Sequence, residues 1–105
     1  MYELTPMEIG KKLYEKGWKN ITYGVRFSSM SGLVDVVAQS GGIRKRKLLI
    51  SIGNNTTEAK VSLSFLSIIK EKSEKFLYLK NGNLDEIKSF DSINIITSLE
   101  QLPIA

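Results

Sequence analysis

The chain has 105 residues and a mass of 11.8 kDa, enough for one hydrophobic core and too little for two domains. Its 15 Lys+Arg against 11 Asp+Glu give a net charge of +4 and a pI near 9.4, which favours polyanionic partners. Having neither cysteine nor histidine, it excludes disulfides, Cys/His zinc sites and catalytic groups built on thiolate or imidazole.

The first element is a helix with a capping-box start. Thr5 accepts from the backbone at Glu8, and Pro6 occupies the first helical position, where a missing N–H is harmless. Ile9 and Leu13, with Met7 and Trp18 at the flanks, form its inner face; Lys11, Lys12, Glu15 and Lys16 form the outer one, and Gly17 stops it. The segment 21–27 then alternates apolar and other residues strictly, the period of a half-buried strand. Trp18, Tyr14 and Tyr23 read as core residues, with base stacking as the alternative.

A loop over 28–32 leads to a more completely buried strand over 33–39. Ser40-Gly41-Gly42 and Arg44-Lys45-Arg46-Lys47 form the turn to a third strand over 47–52, a hairpin signature. Asn55 or Thr56 starts a second helix, expected to reach Ser73, with Asn55-x-x-Glu58 as its capping box. Its apolar residues Ala59, Val61, Leu63, Phe65, Leu66, Ile68 and Ile69 cover more than one stripe, so the helix is expected to face the sheet and a partner, such as a second copy of the chain. A strand over 76–80, a turn at 81–83, a short turn or helix near 84–87 and a last strand over 93–97 follow.

The resulting order is α-β-β-β-α-β-β. The fold class is α/β, a single domain over 1–105 with a central mixed sheet of four to five strands flanked by helices. Strand three, the second helix and strand four form a right-handed βαβ unit with parallel strands. No apolar stretch approaches the roughly 18 to 20 residues that span a bilayer. The first residues lack the basic and apolar regions of a leader, so a cytoplasmic location and no membrane partner are expected.

Two features carry chemistry. Asp35 is a lone carboxylate in the apolar run Leu33-Val34-Asp35-Val36-Val37-Ala38, where burial of an ion costs several kcal/mol unless a cation, a metal or hydrogen bonds compensate. It is the weak metal candidate of the chain; an ion pair with Arg26 on the neighbouring strand is the structural alternative. The second feature is the basic run Arg44-Lys45-Arg46-Lys47, with no Asp or Glu between Val36 and Thr57 to neutralise it. It reads either as a solubilising hairpin tip or as a phosphate-contacting patch, and Arg26 is a further nucleic-acid contact. Gly41-Gly42 does not fit a phosphate-binding loop pattern.

The element order, the Asp early in the second strand and the polar end of the third strand at Ser51-Ile52-Gly53 resemble the PD-(D/E)xK nucleases over about residues 5–80. The likeness is nearest to archaeal Holliday-junction resolvases and related restriction-endonuclease-like proteins. In that family two carboxylates hold Mg2+, which polarises the phosphodiester and lowers the pKa of bound water, and a lysine two residues after the second acid assists. The resemblance aligns Asp35 with the first acid, Ser51 with the second and Gly53 with the lysine; Val34 stands where proline is frequent. Mg2+ affinity and cleavage are therefore expected to be poor. Glu58 and Lys60, a Glu-x-Lys triplet at the start of the second helix, are the rescue set that would join Asp35 in an active enzyme. Glu8 is a further ligand candidate, although capping explains it.

Three readings follow. The first is a catalytically degenerate nuclease-fold protein that needs no cofactor and binds nucleic acid, DNA by preference, through Arg44, Lys45, Arg46 and Lys47, with Arg26 and Lys60 near the old active cleft. The second is an active Mg2+-dependent endonuclease using Asp35, Glu58 and Lys60. The third is an adaptor, with the second helix docking a partner in a homodimer or larger complex.

Overall fold

A computed structural model describes residues 5–27, 33–41, 45–70, 72–81, 84–87 and 92–105. Arg44, the loop at 28–32 and most of the turn at 81–83 lie outside them. The elements run α1 (Pro6–Glu15), β1 (Lys19–Arg26), β2 (Leu33–Gln39), β3 (Lys47–Gly53), α2 (Thr56–Ile68), β4 (Glu74–Leu79) and β5 (Ile93–Ile96). Single 3-10 turns occupy Leu84–Glu86 and Leu99–Gln101.

The five strands lie in sequence order, β1-β2-β3-β4-β5. β1, β2 and β3 form an antiparallel meander, and β4 and β5 add on in parallel. The α/β class, the mixed sheet and the parallel βαβ unit are as the sequence led one to expect. Successive side chains of a strand point to opposite faces. Leu48, Ile50, Phe76 and Tyr78 accordingly join Ile9 and Leu13 of α1 in one core, while Leu49, Leu77 and Leu79 join Ala59, Leu63 and Leu66 of α2 in the other. The sheet is the middle of three layers.

α1 begins as predicted: the Thr5 hydroxyl accepts from the Glu8 N–H at 3.4 Å, and Gly17 at φ +97° carries the chain out. Met7 is not part of its inner face and is 71% exposed. Two residues before Ile9, it sits about 200° around the helix from it. Tyr14 is exposed as well, whereas Trp18 is fully buried.

β1 departs from its sequence pattern. Only Ile21 and Val25 are half-buried and the rest of the strand is exposed; Ile21 packs against the α1-side core and Val25 against the α2-side core, at the outermost strand of the described sheet. The pairing is irregular between Lys19 and Thr22 and Gly24 sits at φ +62°, so the alternation read in the sequence does not become one buried face.

α2 starts at the Asn55 cap, whose Oδ1 accepts from the Glu58 N–H at 2.9 Å, and it ends at Ile68, short of Ser73. Ile69 is already extended and its carbonyl accepts from Lys75 Nζ at 2.5 Å, which turns the chain into β4. Ala59, Leu63, Leu66 and Ile69 are buried; Val61, Phe65 and Ile68 remain exposed as a second apolar stripe. Among the described residues no helix is long and apolar enough to cross a membrane.

The C-terminal segment closes the α1 face. Leu102 is buried there, Trp18 Nε1 donates to the Pro103 carbonyl at 2.7 Å, Lys16 Nζ donates to the Glu100 and Leu102 carbonyls, and the Ala105 N–H bonds the Lys16 carbonyl.

Candidate functional site

The residues singled out by sequence fall at two places, separated along the sheet. Asp35 lies near the start of β2, and the basic residues gather where β2 ends and β3 and β4 begin. Four residues of extended chain, about 13 Å, separate Asp35 from Gln39 along the strand.

Around Asp35 the β2–β3 ladder has reached its last pair, Val36 with Ile50, so the Ile52 N–H is not taken by β2 backbone. The Asp35 carboxylate takes it instead, with Oδ2 accepting at 2.6 Å. Strand alternation sends Ser51 and Gly53 toward α2, and Asp35 lies close enough to Glu58, in the first turn of α2, to feel its charge. The carboxyl of Asp35 is pushed above the ordinary aspartate range, first by burial and further by the nearby Glu58 charge, while the Ile52 hydrogen bond opposes the rise.

The predicted set is thus only partly assembled. Asp35 and Glu58 are near enough to interact, but Lys60 is exposed on α2 and forms no ion pair with either carboxylate. Arg26, opposite Leu33 at the exposed end of β1, makes no ion pair with Asp35, so the structural alternative drawn from sequence is not formed. Ser51 is buried. A Cβ on Gly53 would lie 2.8 Å from the Ala59 Cα and Cβ, so α2 fills the space in which a lysine at that position would stand.

Mg2+ fits these residues poorly. Among the described residues no three acidic side chains converge, and one Asp35 oxygen is committed to the Ile52 N–H. Asp35 is best explained as the group that satisfies the Ile52 N–H where β2 and β3 part.

A pH-dependent test follows. With its pKa raised on folding, Asp35 adds most to stability below its unfolded value of about 3.8, and that contribution is lost as pH rises through the folded value. Asp35→Asn keeps an acceptor for Ile52 without the charge. Its thermal midpoint is expected to gain on the wild type as pH rises above about 4, a difference absent at lower pH. Asp35→Ala leaves the Ile52 N–H unpaired and is expected to lose about 1–3 kcal/mol at pH 7. An Asn variant that melts like the Ala variant at every pH would contradict this account.

The second place is a cleft of about 740 Å3. Lys45, Arg46 and Lys47 of the hairpin line it with Lys72 from the chain after α2, and Glu74 is the only carboxylate among the described residues that line it. The Lys19 ammonium lies beside Gly41 at its rim. Sequence reasoning identified the hairpin cations but not Lys19 or Lys72, which arrive from other segments and carry no local signal.

The basic run does not act as a unit. Arg46 Nε and Nη2 grip Glu74 at 2.6 and 2.7 Å, Nη1 donates to the Ile104 carbonyl at 2.9 Å, and the guanidinium lies 4.9 Å from the Trp18 ring centroid. Arg46 therefore braces the cleft wall. Lys47 lies 5.0 Å from the Phe27 ring centroid, while Lys45 and Lys72 are exposed. Comparison with family models, with curated proteins and with solved structures gives no match to this chain.

Proposed function

We propose that the protein binds nucleic acid through phosphate contacts in the basic cleft, on a nuclease-like scaffold without the catalytic residues. The observation that carries this reading is the charge of the cleft: Lys45, Arg46, Lys47 and Lys72 line it with a single described acid, Glu74, which Arg46 already occupies. A concavity with surplus positive charge attracts polyanions, and counterion release makes the binding strongly salt-dependent. Contacts of this kind hold the backbone and carry little sequence preference. The Asp35 centre supports the non-catalytic half of the proposal, since its second acid is a serine and its lysine position is packed against α2.

Fluorescence anisotropy with labelled DNA over a salt series tests it. Replacing Lys45 and Lys72 together by alanine is expected to lower the slope of log affinity against log salt by about 2, one for each phosphate no longer neutralised. Affinity at low salt is expected to fall about tenfold or more. Unchanged affinity in the double variant, or no binding of any DNA or RNA by the wild type, would overturn the reading. So would Mg2+-dependent cleavage of the DNA that Asp35→Ala abolishes.

A further inference from the structure

Among the described residues β1 is the outermost strand of the sheet, paired with β2 on one side, and α1 lies across one of its faces. Between them is a groove of about 480 Å3, lined by Met7, Lys11 and Tyr14 of α1 and by Ile21 and Tyr23 of β1, with Gly10 and Glu8 completing it. Its floor follows from one residue choice. A Cβ on Gly10 would overlap the Tyr23 hydroxyl, so the phenol rests on α1 where the helix carries no side chain. Tyr23 nevertheless remains 46% exposed, Tyr14 73% and Met7 71%.

Two exposed tyrosines and a methionine around one groove lie outside either core of this fold. Their position suggests what they meet. Asn20, which donates to the Gln39 side chain, lines the basic cleft, and the next residue, Ile21, packs on the α1-side core and lines the groove, so the two concavities lie on either side of β1, one strand apart. Lys19, at the start of the same strand, reaches the cleft rim. A strand whose phosphates lie in the cleft would reach the groove by crossing β1, the outermost strand of the described sheet.

The groove offers phosphate no surplus positive charge, because its lining is mostly apolar and holds one carboxylate, Glu8, beside one cation, Lys11. It suits the flat, uncharged part of the same ligand. Every nucleobase has a π-face that stacks on an aromatic side chain, but only an unpaired base can leave its neighbours to do so.

We propose that the Tyr14–Tyr23 groove is a stacking platform for bases of single-stranded nucleic acid whose phosphates occupy the basic cleft. This inference rests on the nucleic-acid reading and adds the strandedness of the ligand. Tyrosine suits the role, having a large rigid surface and few rotatable bonds to immobilise.

The experiment compares three labelled ligands by anisotropy at one low salt concentration: oligothymidylate, an abasic strand of the same length and a duplex. The wild type is expected to bind oligothymidylate at least about fivefold more tightly than the abasic strand for each ring that stacks. Tyr14→Ala with Tyr23→Leu is expected to erase that difference while leaving the salt slope and the duplex affinity unchanged. Tyr14→Ala alone, at a largely exposed position, is expected to remove part of it without touching the fold.

Equal wild-type affinity for the base-bearing and abasic strands, or loss of duplex and single-strand binding alike in the tyrosine variants, would overturn the platform. If the lysine variants lose binding and the tyrosine variants do not, the platform falls and the basic cleft stands. If the wild type binds none of the three ligands, nor RNA, both fall.

Discussion

Gly53→Lys, which puts an ammonium where the nuclease pattern has its lysine, is expected to destabilise the protein by about 3 kcal/mol or more and to create no nuclease. The cause is steric and already present in the first carbon. A Cβ at position 53 would stand 2.8 Å from both the Cα and the Cβ of Ala59, a buried residue of the first turn of α2. Neither partner can give way cheaply. Gly53 is paired with Leu79 in the parallel ladder, and its carbonyl accepts from the Lys80 N–H at 2.8 Å. Ala59 is fixed by the hydrogen bond of its N–H to the Asn55 carbonyl at 2.9 Å.

The contact involves helix backbone, so relief requires α2 to lift from β3 and β4. Gly53→Ala carries the same carbon and is expected to cost about 1–3 kcal/mol by itself. Urea denaturation followed by circular dichroism measures both: the midpoint falls while the slope stays constant. A Gly53→Ala protein within about 0.5 kcal/mol of the wild type would mean that α2 is not seated on β3 as described.

Trp18→Ala is expected to cost about 3–5 kcal/mol, a large fraction of the roughly 5–15 kcal/mol that holds a domain of this size together. The side chain is 0% exposed and belongs to the core between α1 and the sheet. It is also the point at which three otherwise separate segments meet. Its Nε1 holds the Pro103 carbonyl of the C-terminal segment, and its ring lies under the Arg46 guanidinium, which in turn grips Glu74 at the start of β4.

Truncation thus opens a cavity, frees the tail and removes one support of the cleft wall. Trp18→Phe keeps an aromatic ring in the core but not the N–H donor, and is expected to fall between the wild type and the alanine variant. Because Trp18 is the single tryptophan, circular dichroism is the measurement for both variants. A Phe variant as unstable as the Ala variant would show that the hydrogen bond to the tail, and not the packing, dominates.

Both predictions concern contacts between distant segments, and neither was legible in the linear sequence. The sequence presents Gly53 only as a departure from a catalytic pattern; α2 gives the glycine its reason. The capping residues Thr5 and Asn55, the proline at the first helical position and the glycine after α1 were legible because their effects are local, set by backbone groups within one turn. Met7, Tyr14 and Tyr23 were assigned to the interior on composition and spacing, yet spacing says nothing about whether a covering element exists. The same limit applies to Val61, Phe65 and Ile68, apolar residues on the side of α2 away from its buried stripe.

The amino-acid sequence by itself determined the element order, the α/β class, the parallel crossover and the absence of thiol and imidazole chemistry. Periodicity, caps and composition act over a few residues, and the handedness of a βαβ unit follows from strand twist. Tertiary structure alone decided how the charges are used. It committed Arg46 to Glu74 and Trp18, gave Asp35 the Ile52 N–H, and drew Lys19 and Lys72 to the hairpin cations from remote positions. The physical reason is range. Side-chain charge and shape act through space at a few ångströms, and only the folded backbone places those groups within reach of each other.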